Sequence, residues 1–190
     1  MAIELELKYH CPAPVQAQIA AGLGDAYRSI PMETTYYDTP GGDLSRRHWT
    51  LRRRMEDGIS VCTLKMPAGP AREEYEVEAE ALADALPTLS RLSGAELPRE
   101  LVAVCGARFT RRAWLVREAG FTAELALDLG ELTAGDKTAP ICELEVELKD
   151  GLADMMTLWA MALAQRYGLS TEPKSKFARA KALAEGGSHG

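Results

Sequence analysis

The sequence has 190 residues, 46% of them hydrophobic, and a formal net charge of −6 at pH 7. This length and composition can bury a substantial core, which indicates one globular domain. The acidic balance argues against sequence-independent nucleic-acid binding, because such proteins usually carry a basic surface. The sequence shows neither a bilayer-spanning apolar run nor a signal-peptide pattern, so we expect a cytoplasmic protein with no membrane partner.

The first half of the sequence predicts mostly strands. Its helix-forming stretch, residues 13–23, follows Pro12 and ends near two glycines. Strand-like runs are rich in β-branched, aromatic or alternating residues and end at turn residues. They cover residues 3–8, 34–38, 49–55, 59–66 and 72–80.

The second half combines helices with further strands. The alanine- and leucine-rich stretch 82–105 is interrupted by Pro87 and Pro98, which predicts two short helices. Strands are predicted at residues 109–118, 121–129 and 141–149. Helices follow at residues 152–167 and 174–184. In the first of them Leu152, Met155, Met156, Trp159 and Leu163 are expected to face a core.

The order of these elements indicates an α+β fold. About eight strands occur without the strand-helix-strand rhythm of a parallel sheet. We therefore predict a closed eight-stranded antiparallel β-barrel, a tunnel with peripheral helices, formed by a single domain of residues 1–184. Residues 185–190 are predicted to be a flexible tail. A barrel of eight strands has an interior wide enough for side chains or one small ligand.

Several predicted strands carry ionisable side chains on one face, because alternate residues of a strand share a face. A single row of this kind is more typical of a strand facing water. Repetition on several strands favours a polar-lined interior instead. The rows are Glu4, Glu6 and Lys8; Arg52 and Arg54; Glu74, Glu76 and Glu78; and Glu143, Glu145 and Glu147.

The charge types in these rows indicate what such an interior could bind. Buried charges need partners of opposite sign, since an unpaired buried ion costs several kcal/mol. Clustered carboxylates suit Mg²⁺ or Mn²⁺, which prefer oxygen ligands. Clustered arginine and lysine suit phosphate groups. A metal ion together with a polyphosphate satisfies both halves.

The sequence resembles the CYTH family of triphosphate tunnel metalloenzymes, and within it the bacterial inorganic triphosphatases. The matching motifs follow one another from residue 3 to about residue 183. They are Glu4-x-Glu6-x-Lys8, Tyr36-Tyr37-Asp38-Thr39, Leu51-Arg52-Arg53-Arg54, Thr63-Leu64-Lys65, the alternation from Glu74 to Glu78, Phe109-Thr110-Arg111, the segment from Glu124 to Asp128, and Glu143-Leu144-Glu145-Val146-Glu147.

The resemblance implies a role for individual residues. The carboxylates expected to bind Mg²⁺ or Mn²⁺ are Glu4, Glu6, Glu143, Glu145 and Glu147. The cations expected to hold the triphosphate are Lys8, Arg52, Arg54, Lys65, Arg111 and Lys176. Arg111 is chosen over Arg112, and Lys176 over Lys174, on the resemblance alone. The residues expected to position or activate the attacking water are Lys8, Tyr36, Glu76 and Glu78.

The implied activity is hydrolysis of inorganic triphosphate to pyrophosphate and phosphate. Three other substrates stay open within the family: thiamine triphosphate, a nucleoside triphosphate, and ATP as the substrate of a class IV-type adenylate cyclase. A non-catalytic polyphosphate-binding module is the alternative from another class. We expect no nucleic-acid partner. The resemblance implies a CHAD domain as a candidate partner in a longer parent protein, and a homodimer is a second candidate.

Overall fold

The computed structural model describes residues 2–69 and 71–186, with only the backbone described for residues 2–4 and 71. Glu4 and most of the predicted tail therefore lie outside the described side chains. The helices of the described part are α1 (Ala13–Leu23), α2 (Asp43–Arg46), α3 (Leu82–Ser93), α4 (Ala153–Tyr167) and α5 (Lys176–Ala184). The strands there are β1 (Ala2–Glu4), β2 (Glu6–His10), β3 (Arg28–Asp38), β4 (Thr50–Glu56), β5 (Ile59–Ala68), β6 (Ala71–Glu78), β7 (Val102–Glu118), β8 (Phe121–Ala134), β9 (Lys137–Gly151) and β10 (Ser170–Thr171).

All ten strands belong to one sheet, in the order β1-β6-β5-β4-β3-β7-β8-β9-β2-β10. Every neighbouring pair is antiparallel. The predicted α+β class and antiparallel character are confirmed. The predicted count of eight strands is too low, because the opening segment forms two strands and a short β10 is added. The order of hydrogen-bonded strands begins at β1 and ends at β10, so strand pairing does not close the sheet into the predicted barrel.

The two ends of the sheet are reached by consecutive segments of the chain. In β1, Ala2 pairs with Glu74 of β6, whereas in β2, Glu6 pairs with Glu147 of β9. Leu5 separates the two strands, and its carbonyl accepts a hydrogen bond from the backbone N–H of Leu148 at 2.9 Å. Residues 2–10 thus lie beside both β6 and β9.

The prediction of two short helices within residues 82–105 is wrong. One helix, α3, continues through Pro87, because Leu82, Ala85 and Leu89 are buried against the sheet and packing overrides the proline. The chain then enters β7 at Val102, which pairs with Asp38 of β3. Pairing with β3 therefore decides the conformation of a segment whose composition favours a helix.

Helices cover the outer face of the sheet on two sides. Helix α3 lies in one hydrophobic cluster with Leu64 of β5, and α1 and α4 lie in another with Leu144 of β9. In α4, Met156 is buried and Trp159 and Leu163 pack against that cluster. The expectation that Leu152 and Met155 belong to the core is wrong, since they are 61% and 40% exposed.

A third hydrophobic cluster lies around α5. Ala180 and Phe177 of this helix pack with Met32, Phe109 and Ile141, which come from β3, β7 and β9. Phe109 and Ile141 have the same facing parity as Arg111 and Glu143 on their strands, and Met32 has that of Tyr36 on β3. The apolar cluster therefore occupies part of the sheet's inner face and leaves the charged residues to line the remainder. Among the described helices, none has the length and apolar character needed to cross a membrane.

Candidate functional site

A cavity of about 600 Å³, called here the charged cavity, lies along the inner face of the sheet. Most of its lining side chains are ionisable, and the lining comes mainly from β2, β3, β4, β5, β6, β7, β8, β9 and α5. The residues that line it are Glu6, Lys8, Tyr36, Thr50, Arg52, Arg54, Glu56, Lys65, Arg72, Glu74, Glu76, Arg111, Glu124, Glu145, Glu147, Lys149, Ser175, Lys176 and Phe177.

Strand alternation decides which arginines of β4 reach the charged cavity. Arg52 and Arg54 line it. Arg53 lies on the other face, where its Nε donates a hydrogen bond to the carbonyl oxygen of Glu80 at 2.8 Å. The same rule separates Arg111 from Arg112 on β7, because Arg111 lines the cavity while the Arg112 guanidinium lies over the Trp114 ring.

Carboxylates of β4 and β6 pair with the cations of β4 and β5, among them Glu56 with Arg54 at 3.6 Å. Glu74 lies 3.7 Å from the Arg52 guanidinium and 3.4 Å from the Lys65 ammonium. Arg54 Nε donates to Thr34 Oγ1 at 2.9 Å, and burial lowers the pKa of Arg54 to about 10. Arg52 Nε is buried and donates to no described acceptor. A bound water or an anion could accept a hydrogen bond from this donor.

Lys8 is the lysine of β2, and it lines the charged cavity. Its ammonium makes neither an ion pair within 4.0 Å nor a hydrogen bond with a described residue. Burial lowers the pKa of Lys8, although Glu145 and Glu6 act in the opposite direction. No hydrogen bond joins Lys8 to Tyr36 within the described part of the chain. Tyr36 is buried in the same cavity and packs against the Phe177 ring at 5.1 Å between centroids.

A buried carboxylate cluster of Asp128, Glu143 and Glu145 is next to the charged cavity. Each residue offers one oxygen, and these oxygens lie within 4.8 Å of one another. They surround the Lys176 ammonium, which is 2.8 Å from Asp128, 2.6 Å from Glu143 and 2.7 Å from Glu145. The Arg111 guanidinium contacts Asp128 at 2.7 Å and also contacts Glu145.

Opposite charges in this buried group shift the pKa values of Arg111, Lys176 and Glu145 towards the ionised forms. Burial lowers the pKa of Arg111, but Glu145 and Asp128 outweigh it and raise that pKa well above its ordinary value. Burial also lowers the pKa of Lys176, and again Asp128 and Glu145 reverse the direction. Burial raises the pKa of Glu145, but Lys176 and Arg111 hold it well below the ordinary carboxyl range. The Glu145 carboxylate is thus charged at neutral pH.

A second row of carboxylates crosses β2, β9 and β8. Glu6 pairs with Glu147, and Glu147 pairs with Glu124, so three side chains of like charge lie side by side. Directly opposite like charges destabilise a sheet unless a cation lies between them. Lys149 supplies part of that charge to Glu147 at 2.9 Å, and Arg28 supplies part to Glu124 at 3.4 Å. The oxygen-only donor sets of this row and of the carboxylate cluster fit Mg²⁺ or Mn²⁺.

Among the described residues predicted to act on the water, Glu78 lies away from the charged cavity. Glu78 is exposed and is absent from the cavity lining, because it is the last residue of β6. Glu76 does line the cavity, and its Oε1 accepts a hydrogen bond from Thr63 Oγ1 at 3.2 Å. The side chain of Glu4, a predicted metal ligand, lies outside the described residues. Asp128 was not assigned a role from the sequence, although it completes the carboxylate cluster.

Three cations at the site were missed in the sequence, although each continues a recognised pattern. Arg72 precedes Glu74 by two residues and lines the cavity, as does Lys149, two residues after Glu147. Extending the alternation by one step in each row would have found both. Arg179 follows Lys176 by three residues on the same face of α5 and forms an ion pair with Glu143.

The model of the CYTH domain family matches residues 2–180. The chain belongs to the CYTH family. Curated relatives share only part of their length with this CYTH domain. An inorganic triphosphatase of Haemophilus influenzae is 32% identical over 135 residues, which are 66% of this chain and 38% of that protein. An uncharacterized protein of Mycobacterium tuberculosis is 42% identical over 57 residues, which are 30% of this chain and 11% of that protein.

Solved structures share the fold of this CYTH domain. A Hippeastrum protein, named for adenylyl cyclase and described as having a dominant triphosphatase activity, superimposes with a TM-score of 0.65. It is 21% identical, and the match covers 97% of this chain and 96% of that one. A Pyrococcus horikoshii protein has a TM-score of 0.60 at 22% identity, with 96% and 99% covered. At these identities the likeness concerns the fold.

Proposed function

We propose that this CYTH domain hydrolyses inorganic triphosphate to pyrophosphate and phosphate in a reaction that depends on Mg²⁺ or Mn²⁺. One observation carries the proposal: a single cavity combines arginines and lysines with carboxylates in two separate groups. A polyphosphate bound with a divalent cation matches both kinds of charge. The name of the Haemophilus influenzae relative supports triphosphate as the substrate.

We also propose that the charged cavity is a tunnel closed by residues 2–10. The pairing of β1 with β6 and of β2 with β9 supports this, since only Leu5 separates the two strands. A closed interior would limit access of water and strengthen electrostatic interactions with the substrate.

The cations have a clear task in this proposal. Phosphoryl transfer needs neutralised phosphate oxygens and an in-line nucleophile rather than a covalent intermediate. Arg52, Arg54 and Lys65 would hold one part of the phosphate chain from β4 and β5. Arg111 and Lys176 would hold the part nearest the carboxylate cluster. Guanidinium groups suit this role because they can bind two phosphate oxygens at once.

The carboxylates would hold the metal. Glu6 and Glu147 are opposite each other, and Glu145 precedes Glu147 by two residues on β9. Glu4 and Glu143 are further candidate ligands. A bound Mg²⁺ or Mn²⁺ neutralises phosphate oxygens and lowers the pKa of a coordinated water. Lys176 occupies the carboxylate cluster, so use of Glu143 or Glu145 as ligands requires the ammonium to share these oxygens or move away from them.

Lys8, Tyr36 and Glu76 would orient the attacking water or the terminal phosphate. Lys8 suits this role because its ammonium has no close carboxylate partner among the described residues. Its lowered pKa, caused by burial, also makes proton loss easier than for an exposed lysine. Tyr36 of β3 would contribute a hydroxyl group, and Glu76 of β6 would contribute a carboxylate.

The deciding experiment is phosphate release from inorganic triphosphate, ATP, thiamine triphosphate and pyrophosphate, each with Mg²⁺, Mn²⁺ or a chelator. We expect release from inorganic triphosphate with metal and none with chelator. Preferred turnover of thiamine triphosphate or ATP would replace the substrate while keeping the chemistry. Cyclic AMP formed from ATP would indicate a cyclase. Tight triphosphate binding without turnover would indicate a binding module, and turnover with chelator would refute metal dependence.

A further inference from the structure

Gln16 is a polar residue on the buried face of α1, which covers the outer face of the sheet. Its side chain is 1% exposed. The other buried residue of this helix is Ile19, and Val15, Ala20 and Leu23 pack around the same hydrophobic cluster. Apolar contacts therefore already attach α1 to the sheet.

The Gln16 amide reaches three backbone carbonyl groups of the sheet and its edge. Nε2 donates to the carbonyl oxygen of Asp128 at 2.9 Å, of Cys11 at 3.2 Å and of Glu143 at 3.3 Å. An amide nitrogen has two hydrogens, so these three acceptors share them. Asp128 and Glu143 are direct cross-strand partners on β8 and β9.

The same two residues carry their carboxylates on the opposite face of the sheet. There they belong to the carboxylate cluster around Lys176, where the Nζ distances are 2.8 and 2.6 Å. A side chain outside the sheet thus binds the backbone at the two positions whose side chains form the cluster inside. Small displacements of that backbone would move the carboxylate oxygens relative to Lys176.

Packing alone does not account for an amide at this position. Gln16 Oε1 is buried and accepts no hydrogen bond from a described residue. A buried polar atom without a partner costs about 1–3 kcal/mol. A methionine of similar size would fill the space without that cost. The group that accounts for a glutamine here is therefore the Nε2 donor, which binds the backbone carbonyls of Asp128 and Glu143.

We propose that Gln16 is a positioning residue that fixes the carboxylates of Asp128 and Glu143 through their backbone carbonyls. Its effect on metal binding and turnover rests on the proposed function. Residues that support metal ligands from outside typically change affinity or activity about 10-fold to 100-fold when replaced. Gln16 would act in this way from the far side of the sheet.

The test compares Gln16→Met with Ile19→Val in the whole chain. Gln16→Met keeps the side-chain length and removes the donor, whereas Ile19→Val loosens the same helix without touching a carbonyl. Three quantities are measured: the carboxyl ¹³C resonances of Asp128 and Glu143, Mn²⁺ affinity by electron paramagnetic resonance, and kcat and KM for inorganic triphosphate. Gln16→Asn keeps the amide but shortens its reach, and replaces Gln16→Met if that variant does not fold.

We expect Gln16→Met to shift both carboxyl resonances, to weaken Mn²⁺ binding about 10-fold, and to lower kcat more than it raises KM. Ile19→Val should leave all three as in the wild type. Resonances and Mn²⁺ affinity unchanged in Gln16→Met would overturn the proposal. If the wild type neither binds Mn²⁺ nor hydrolyses triphosphate, the proposed function fails, and the resonances alone then decide whether Gln16 positions the cluster.

Discussion

Lys176 Nζ lies 2.6 Å from Oε2 of Glu143, which joins the first residue of α5 to the middle of β9. The ammonium also reaches Asp128 and Glu145, so one cation contacts three buried carboxylates, and Arg111 and Arg179 supply further positive charge to them. This arrangement makes the start of α5 part of the candidate site. A divalent metal that bound these carboxylate oxygens would compete with the Lys176 ammonium.

Replacing Lys176 by methionine should destabilise the protein and increase its response to metal. Removing one partner of a buried ion pair typically costs about 3–5 kcal/mol, because the remaining charge is left uncompensated. A divalent cation can supply the missing charge. We therefore expect a lower melting temperature for Lys176→Met, together with a larger increase on adding Mn²⁺ than the wild type shows.

Lys174→Met is the matched control, since Lys174 is exposed just before α5. It should melt and respond to Mn²⁺ like the wild type. Differential scanning fluorimetry over a Mn²⁺ series measures both effects. An equal Mn²⁺ response in all three proteins would show that the carboxylate cluster does not bind the ion.

The arginines of β4 allow a test of which face binds substrate. Arg52→Ala removes a guanidinium that lines the charged cavity, whereas Arg53→Ala removes one on the outer face. Hydrogen bonds to charged groups contribute roughly 1.5–3 kcal/mol. We expect kcat/KM for inorganic triphosphate to fall about 10-fold or more in Arg52→Ala. Arg53→Ala should stay close to the wild type, and similar losses in both variants would refute the assignment by strand alternation.

Lys8→Met should separate function from stability. The Lys8 ammonium is buried and forms no ion pair within 4.0 Å with a described residue, so its removal relieves a desolvation cost and removes only the weaker attraction of Glu145 and Glu6. We expect the free energy of unfolding in urea to stay equal or rise, while triphosphate turnover falls sharply. A variant with unchanged turnover would exclude Lys8 from phosphate binding and from activation of the water.

Asp38 provides a test of pH dependence away from the candidate metal ligands. Its carboxylate accepts hydrogen bonds from the backbone N–H groups of Thr39, Leu44 and Ser45 and from the Ser45 hydroxyl. Burial raises its pKa, but these hydrogen bonds prevail and lower it below the ordinary value of 3.8. The ionised group therefore stabilises the fold fully above about pH 3.8, and this stability is lost as pH falls through the lower, folded pKa.

Asp38→Asn replaces an acceptor oxygen with a donor. At pH 7 we expect it to lower the free energy of unfolding by about 1–3 kcal/mol. The difference from the wild type should shrink as pH falls below about 3.8. Urea unfolding at a series of pH values measures it. If the difference in unfolding free energy between Asp38→Asn and the wild type were constant across the acid range, the hydrogen bonds from Thr39, Leu44 and Ser45 would not be what keeps Asp38 ionised.

Much of the candidate site could be predicted from alternation alone. In a regular strand, period two decides the face, so Arg52, Arg54 and Glu145 could be assigned inward before any pairing was known. The same rule could not show where a strand leaves the site, and Glu78 at the end of β6 is exposed for that reason. Arg72 was missed because the Glu74, Glu76 and Glu78 row was not extended by two residues towards the N-terminus.

The parts that depend on distant partners could not be derived in this way. Lys176 enters the carboxylate cluster because α5 packs on the inner face of β7, β8 and β9, and no local pattern encodes that docking. Composition also favoured a helix where β7 begins, although the pairing of Val102 with Asp38 decides for a strand. Tertiary contacts overrode local preference at both places.

The position of β2 affects when the site can form during synthesis. Glu6 and Lys8 emerge from the ribosome early, but their partners in β9 are Glu147 and Glu145. Lys176 follows later still. Because domains are made from the N-terminus at about 5–20 residues per second, the opening segment must wait several seconds for these partners. A nascent chain that ends before α5 would therefore carry its first carboxylate and lysine without a site in which to use them.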